Sequence, residues 1–360
     1  MRITIVGGGN IGTQFAVHCA AKNHEVTIYT SNPDIFNKHL TIIGDDNKVY
    51  LEGDMANITN DPEAAFRGAD YILVTHPCNL LPKIAPVIYD HTDTKTIIGI
   101  IPANGGGECA FKDFISRGNT VFGLQRVPSV ARLIEKGKSV HCSGYRDELF
   151  VSSLPIASVN DCRDFIKSIF DMPCTSIPNY LNLTMTPSNP ILHTTRLRTI
   201  FKDYYPGKEY DSLPLFYEEW SDESSELLIA CDAEVQDVCK ALPDFQLDYV
   251  KSLKIHYESP TAEAMTKKIS SIASFKGLKT PQIKLKNGKL IPDLHSRYFT
   301  ADFLYGLTII QQVSRFTNVK TPNIDQTIDW YRKIALETDE FHFSDYGINN
   351  IEDLKAFYLR

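Results

Sequence analysis

The chain has 360 residues, of which 43% are hydrophobic and 22% are charged, a balance typical of a globular protein with a substantial core. Its formal net charge of −7, without any block of Lys and Arg, excludes a nucleic-acid-binding surface. No apolar run approaches the roughly 18 residues of a membrane span, so we expect no membrane partner. The length predicts about two domains.

The chain offers no sign of export or of metal binding. The first predicted strand begins at Arg2, which leaves no room for a secretory signal, so we expect a cytoplasmic protein. The eight cysteines are scattered, with neither a C-x-x-C pair nor metal-ligand spacing. We therefore predict reduced thiols and no metal site.

The N-terminus carries a dinucleotide-binding fingerprint. Ile3–Val6 is a predicted buried strand, and it runs into Gly7–Gly12 (GGGNIG), which fits the pattern G-x-G-x-x-G. An amphipathic helix follows, and Glu25–Tyr29 is a second predicted strand that completes a βαβ unit.

Each glycine of this pattern has a physical role. Gly7 allows the tight turn, Gly9 lets the backbone approach a pyrophosphate, and Gly12 lets helix and strand pack closely. The helix N-terminus offers free N–H groups and a positive dipole end to the phosphates. The predicted cofactor-binding residues here are Gly7, Gly9, Asn10, Ile11 and Gly12.

The end of the second strand bears on the choice of dinucleotide. NAD-type sites usually have an acidic residue there that binds the ribose hydroxyls, but here Tyr29 is followed by Thr30 and Ser31. Hydroxyl groups can donate to a 2′-phosphate that a carboxylate would repel. The pattern favours NADP(H), and NAD(H) stays open because no arginine is present.

Further strands predict a doubly wound, mainly parallel α/β sheet. They are Tyr71–Thr75, Thr96–Ile101 and Thr120–Leu124, with helical patterns between them. Ligands of such sheets lie beyond the carboxyl ends of the strands, so we expect Thr75 and Asn104 near the cofactor. The glycines that follow Asn104 are also compatible with a loop that binds nothing.

From Tyr180 onwards the pattern becomes helical. We predict a Rossmann domain over residues 1–178 and an all-helical substrate domain over residues 179–360. Amphipathic periodicity predicts helices over 226–242, 301–316 and 322–334, with Thr300 as the N-cap of the second and Thr321-Pro322 starting the third. Residues 284–292 are a predicted hairpin with Asn-Gly at its tip.

A hydride-transfer site needs a proton donor and an anchor for an anionic substrate. His193 follows the predicted domain junction and is the leading candidate donor, with His76 at a strand end as its rival. Arg297 offers a planar guanidinium to a carboxylate, and Asp302 could brace an imidazole. Structural histidine, surface charge and helix-dipole roles remain open alternatives for these three residues, and the sequence does not say whether His193 and Asp302 meet.

Several stretches resemble the octopine/nopaline (opine) dehydrogenase family. They are the fingerprint, Pro102–Gly107 (PANGGG), Pro187–His193 (PSNPILH), Phe216–Glu219 (FYEE), Asp232–Glu234 (DAE), Arg297–Asp302 (RYFTAD), Tyr305–Leu307 (YGL), Thr321-Pro322 and Tyr346-Gly347.

The resemblance implies a Rossmann domain followed by an all-helical domain, with the substrates between them. It implies reductive condensation of an amino acid's amine with a 2-oxo acid such as pyruvate. By this similarity His193 is the acid/base residue, Asp302 its partner and Arg297 a carboxylate anchor, and Ser188 and Asn189 also contribute to the substrate site. Thr30 and the stretch 125–132 depart from the family pattern.

Two other functions share these features. One is a reductase of the ketopantoate type, which acts on an oxo acid without an amine. The other is a non-catalytic dinucleotide sensor in which His193 and Asp302 are structural. Tyr204, Tyr205 and Trp220 of the helical part are candidates for lining the cleft that selects the amino donor. Exposed aromatic residues in a helical domain leave a homodimer open.

Overall fold

The computed structural model describes residues 1–336 and 339–360. The chain divides into two compact units, the first formed by residues 1–183 with 356–360 and the second by residues 184–355. The predicted boundary at residue 178 therefore lies five residues before the observed one. The sequence did not predict that the last five residues belong to the first unit.

The first unit alternates strands and helices. Its strands are β1 Arg2–Val6, β2 Glu25–Tyr29, β3 His39–Ile43, β4 Val49–Asp54, β5 Asn57–Thr59, β6 Tyr71–Val74, β7 Ile97–Ile100, β8 Val121–Leu124, β9 Val130–Glu135, β10 Ser139–Ser143, β11 Leu149–Leu154 and β12 Cys174–Ser176. Its helices are α1 Asn10–Ala21, α2 Pro62–Phe66, α3 Leu81–Asp90, α4 Gly107–Ala110, α5 Lys112–Arg117 and α6 Val159–Phe170.

The main sheet has eight strands in the order β12-β11-β8-β7-β6-β1-β2-β5. The six strands from β8 to β5 run parallel, whereas β11 pairs antiparallel with β8. The order reverses on the two sides of β1, as in doubly wound folds. The predicted fold class of this unit, a doubly wound and mainly parallel sheet, is confirmed.

A second sheet was not predicted. Four strands pair in the order β4-β3-β10-β9, and β3 runs parallel to β10 although about a hundred residues separate them in the chain. Leu40, Ile42 and Val140 point from this sheet into the core that also holds Phe15 of α1. The sheet therefore covers the helix that follows the fingerprint.

The C-terminus completes the first unit. The buried ring of Tyr358 contacts Phe357, and its hydroxyl donates to Glu108, which is fully buried. Asn179 donates to the carbonyl of Tyr358 over 3.2 Å. These bonds explain why the last residues belong with the sheet rather than with the helical unit.

The second unit is helical apart from one small hairpin. Its elements are α8 Pro190–Ile200, α9 Asp222–Lys240, α10 Leu253–His256, α11 Ala262–Ser271, β13 Gln282–Lys284, β14 Leu290–Pro292, α12 Arg297–Thr300, α13 Thr308–Phe316 and α14 Pro322–Ile334. Two further helices, α7 Leu181–Thr184 and α15 Ile351–Tyr358, each contain residues of both units. The helical domain and its hairpin agree with the prediction. No helix among the described residues is long and apolar enough to cross a membrane.

The helix predicted over 301–316 is wrong in its first part. The structure begins with α12, continues as a π-helix over Asp302–Leu307, and becomes α-helical only at Thr308. Thr300 is the last residue of α12 rather than an N-cap, and the N–H of Gly306 donates five residues back to Ala301. A π-turn inserts one extra residue, which periodicity alone does not reveal.

Glycine permits close packing at this π-helix. A Cβ placed on Gly306 would lie 2.8 Å from the Cβ of Pro190, the first residue of α8. Because Gly306 lacks that atom, the π-helix approaches the start of α8 closely. The contact matters below, since His193 and Asp302 lie on these two elements.

Candidate functional site

A cavity of about 390 Å³ opens beside the fingerprint. All of its lining residues belong to the first unit: Gly7, Gly8, Gly9, Tyr29, Thr30, Ser31, Asn60, Thr75, His76, Pro77 and Lys136. Most of them follow the carboxyl ends of β1, β2 and β6, where ligands of parallel sheets bind, whereas Asn60 follows β5 and Lys136 lies between β9 and β10.

The first and last glycines of the fingerprint hold the turn together. Gly7 has a φ of 104°, a left-handed conformation that favours glycine. A Cβ on Gly12 would lie only 1.8 Å from the carbonyl oxygen of Gly7. The start of α1 can therefore pack on β1 only with glycine at position 12, as the fingerprint predicts.

Gly9 leaves the space in front of α1 open. No heavy atom lies within 4 Å of the position that a Cβ would take there, and Gly9 is the residue before the first turn of the helix. Free N–H groups and a positive helix end in open space form a binding site for an anion. The residues present thus fit the pyrophosphate of a dinucleotide.

The lining of the cavity is partly polar and includes one cation. Thr30, Ser31 and Asn60 line it together with Lys136, and no carboxylate is among its lining residues. Lys136 lies in the turn between β9 and β10, and Gly137 of the same turn accepts a hydrogen bond of 2.9 Å from the N–H of Asn37. This pairing of distant segments carries no local sequence signal, which is why Lys136 was not predicted.

Thr75 and His76 close the cavity beside Gly7. The hydroxyl of Thr75 donates to the carbonyl of Val6 over 2.9 Å, and this bond fixes the end of β6 against β1. Burial lowers the pKa of His76, which keeps its imidazole neutral at physiological pH. His76, which the sequence offered as the alternative proton donor to His193, thus lines the cavity of the first unit.

The other predicted cofactor residues do not line this cavity. The side chain of Asn10 accepts a hydrogen bond of 2.8 Å from the N–H of Leu133 in β9, and this bond ties α1 to the second sheet. Ile11 and Gly12 lie in the first turn of α1, and Asn104 follows β7. Their binding roles stay predictions.

The second unit brings His193 and Asp302 together. Nδ1 of His193 lies 2.7 Å from Oδ2 of Asp302, although 109 residues separate them in the chain, and each residue is only 3% exposed. A carboxylate only accepts hydrogen bonds, so Nδ1 carries the proton and Nε2 holds a lone pair in the neutral ring. This is the arrangement in which a carboxylate orients an imidazole and stabilises its protonated form.

Two tyrosines surround this imidazole. The hydroxyl of Tyr217 lies 2.8 Å from Nε2 of His193, and the ring of Tyr298 stacks on the imidazole with centroids 4.2 Å apart. Burial, and after it the neighbouring Tyr298, raises the pKa of Tyr217 well above its usual range. Tyr217 lies in one of the stretches that carry the family resemblance, but that resemblance gave it no role.

The predicted anchor residues lie close to this group in the chain. Arg297 begins α12 and is exposed, with its guanidinium 4.8 Å from the ring centre of Tyr298. Tyr298 therefore contacts both Arg297 and His193. Ser188 and Asn189 are half-buried at the start of α8, where the carbonyl of Asn189 accepts a hydrogen bond from the N–H of His193.

Both units match known protein families. Residues 176–335 match the α-helical domain of NAD/NADP octopine/nopaline dehydrogenase, and residues 2–105 match the N-terminus of NAD-dependent glycerol-3-phosphate dehydrogenase. The tauropine dehydrogenase of Arabella iricolor is 26% identical over 92% of this chain and 91% of its own length.

Solved structures share the fold. An octopine dehydrogenase with NADH and L-arginine aligns with a TM-score of 0.82 at 21% identity, over 98% of this chain and 97% of its own. A yersinopine dehydrogenase with bound NADP⁺ aligns with a TM-score of 0.66 at 10% identity, over 92% and 90%. The family match of residues 2–105, together with the cavity described above, identifies the first unit as a dinucleotide-binding domain.

The open space at Gly9 leads to a first prediction. Gly9→Ala should leave the thermal unfolding midpoint nearly unchanged, because nothing contacts the added methyl group. It should weaken dinucleotide binding about tenfold or more, since the methyl group occupies the pyrophosphate position. Fluorescence titration with NADPH and NADH measures the affinity.

Gly12→Ala is the matched comparison. Its methyl group meets the carbonyl oxygen of Gly7, so this variant should lose stability as well as binding. Equal stability loss in both variants, or unchanged affinity in Gly9→Ala, would contradict the assignment.

Proposed function

We propose, from the premise that this chain belongs to the octopine/nopaline (opine) dehydrogenase family, that it is an NAD(P)H-dependent oxidoreductase acting on CH–NH bonds. It condenses the amine of an amino acid with a 2-oxo acid such as pyruvate. The observation that carries this proposal is the buried pair of His193 and Asp302, which lies within the matched helical domain.

His193 is the proposed acid and base of the reaction. Addition of an amine to a carbonyl carbon needs a proton for the oxygen and a base for the nitrogen, and a neutral imidazole with a lone pair on Nε2 can supply both in turn. Asp302 accepts from Nδ1, which fixes the tautomer and stabilises the imidazolium ion.

Arg297 is the proposed anchor for a substrate carboxylate. Its guanidinium is exposed and offers two parallel N–H donors, the geometry that a carboxylate accepts. It also contacts Tyr298, which stacks on His193. An anchored carboxylate, aided by Ser188 and Asn189 at the start of α8, would orient the reacting carbon and turn an encounter of two molecules into an oriented reaction.

The first unit would hold the dinucleotide through the backbone at Gly7–Gly12 and through the polar residues that line the cavity. When bound, the reduced nicotinamide supplies the hydride that converts the imine to a secondary amine. Gly9 accommodates the pyrophosphate, and Thr75 keeps the end of β6 in place beside Gly7.

NADP(H) is the proposed preferred dinucleotide. Thr30, Ser31 and Asn60 can donate to a 2′-phosphate, and Lys136 adds a positive charge to the same cavity. An acidic residue, which would bind the two ribose hydroxyls of NAD(H), is missing from its lining.

The function is tested by the absorbance of the reduced nicotinamide. We expect NADPH to be consumed only when an amino acid and a 2-oxo acid are both present, with pyruvate and a panel of amino acids as substrates. Consumption with the oxo acid alone would favour the ketopantoate type of reductase. Binding without turnover on any pair would favour the sensor.

His193→Ala should reduce kcat by roughly 10²- to 10⁴-fold, the contribution typical of a general acid or base. Dinucleotide affinity should be unchanged, because the cavity lies in the first unit. His342→Ala, which removes an exposed histidine of the same helical unit, is the control. Unchanged turnover in His193→Ala would refute the role of His193.

Lys136→Ala should weaken NADPH binding about tenfold or more, because a hydrogen bond to a charged group is worth about 1.5–3 kcal/mol. NADH affinity should change little, since NADH lacks the 2′-phosphate. Lys138→Ala is the control, as Lys138 is exposed two residues away and pairs with Glu135. Equal losses for both dinucleotides would argue against the phosphate contact.

A further inference from the structure

The imidazole of His193 is occupied on both nitrogens. Asp302 binds Nδ1 at 2.7 Å and the hydroxyl of Tyr217 binds Nε2 at 2.8 Å. The side chain of His193 is 4% exposed, and Tyr298 covers one face of its ring. A substrate can therefore exchange a proton with Nε2 in two ways: it displaces Tyr217, or it uses the phenol as an intermediary.

Hydrogen bonds from Arg196 fix the backbone on both sides of Tyr217. The guanidinium of Arg196 donates to the carbonyls of Leu215 at 3.3 Å, Phe216 at 2.9 Å and Glu219 at 2.5 Å, which lie on both sides of Tyr217 in the chain. Arg196 is itself 3% exposed and lies one turn after His193 in α8. One helix thus carries the imidazole and also fixes the backbone that presents the phenol.

Packing holds the ring of Tyr217 in the same position. Phe275 stacks on it with centroids 4.2 Å apart, and Trp220 lies nearly parallel at 6.3 Å. The guanidinium of Arg196 lies 5.3 Å from the Trp220 ring. Rotation of the phenol away from His193 would disrupt the ring contacts. Movement of the backbone segment that carries it would leave the carbonyls bound by Arg196 without their donor, which is costly in a buried site.

We propose that Tyr217 is a further catalytic residue, through whose hydroxyl His193 exchanges its proton with the substrate, and that Arg196 is its positioning residue. This inference rests on the proposed function. A phenol has one proton to donate and lone pairs to accept with, so it can bond to His193 and to a substrate oxygen at once.

The transfer balances without charge on the phenol. The Nε2–H bond of the imidazolium breaks as a new O–H bond forms on Tyr217. The original O–H bond of Tyr217 breaks as its proton reaches the hydroxyl of the amine–carbonyl adduct. That C–O bond then breaks, water leaves, and the nitrogen lone pair forms the C=N bond of a protonated imine, which carries the positive charge that left the imidazolium. Tyr217 stays neutral throughout, in agreement with its raised pKa.

The test compares Tyr217→Phe with the wild type in single-turnover experiments with NADPH, an amino acid and a 2-oxo acid. We expect a rate loss of roughly 10²-fold, at the low end for an acid/base group. The half-saturating concentrations of both substrates should change little. Tyr331→Phe, which removes another buried phenol of the helical unit, should keep the wild-type rate.

Solvent isotope effects give a second readout, measured on the wild type and on Tyr217→Phe. In mixtures of H₂O and D₂O, a relay moves two protons in one step, so the wild-type rate should depend on the deuterium fraction along a curve. In Tyr217→Phe the dependence should become linear. A linear dependence in the wild type, or a Tyr217→Phe rate equal to or above that of the wild type, would overturn the relay. Absence of any amine-dependent turnover in the wild type would instead overturn the proposed function.

Discussion

The hydrogen bond between His193 and Asp302 is the interaction on which the proposed chemistry of the helical unit depends. It exists because α8 and the π-helix approach closely, and that approach requires the absence of a side chain at Gly306. A regular α-helix would place the residues after Ala301 in a different rotational register. Helix geometry, glycine packing and imidazole chemistry are therefore linked at one contact.

The same unit shows how a polar network can be buried without loss of order. Arg196 is charged at neutral pH even though burial lowers its pKa to about 10, and it satisfies carbonyls that would otherwise lack donors. Networks of this kind specify one arrangement of side chains, since any shift leaves several groups without partners. The aromatic rings that pack around His193 further restrict the positions its imidazole can take.

Local patterns in the sequence predicted much of this molecule. The βαβ fingerprint, the parallel sheet, the helical second half and the 284–292 hairpin all follow from periodicity and turn residues within short windows. His193 and Asp302 were selected by residue type, position and family resemblance, and the structure places them in contact. Their roles in catalysis stay proposals.

What the sequence did not predict depends on distant pairing. The second sheet joins β3 to β10, and Lys136 reaches the dinucleotide cavity only through that sheet. The π-helix inserts a residue that hydrophobic periodicity cannot register, and Tyr217 meets His193 through a loop that Arg196 shapes. The return of the C-terminus rests on Tyr358 and Glu108, two residues 250 positions apart.

The position of Lys136 in the β9–β10 turn has a consequence for how such proteins diversify. Gly7 and Gly12 of the fingerprint are fixed by a positive φ and by a close backbone contact, so these two positions tolerate little change. The β9–β10 turn is a surface connection whose composition can vary without disturbing the main sheet. On the proposed role of Lys136, coenzyme selectivity in this architecture can evolve, or be engineered, by exchanging a peripheral hairpin while the phosphate-binding turn stays untouched.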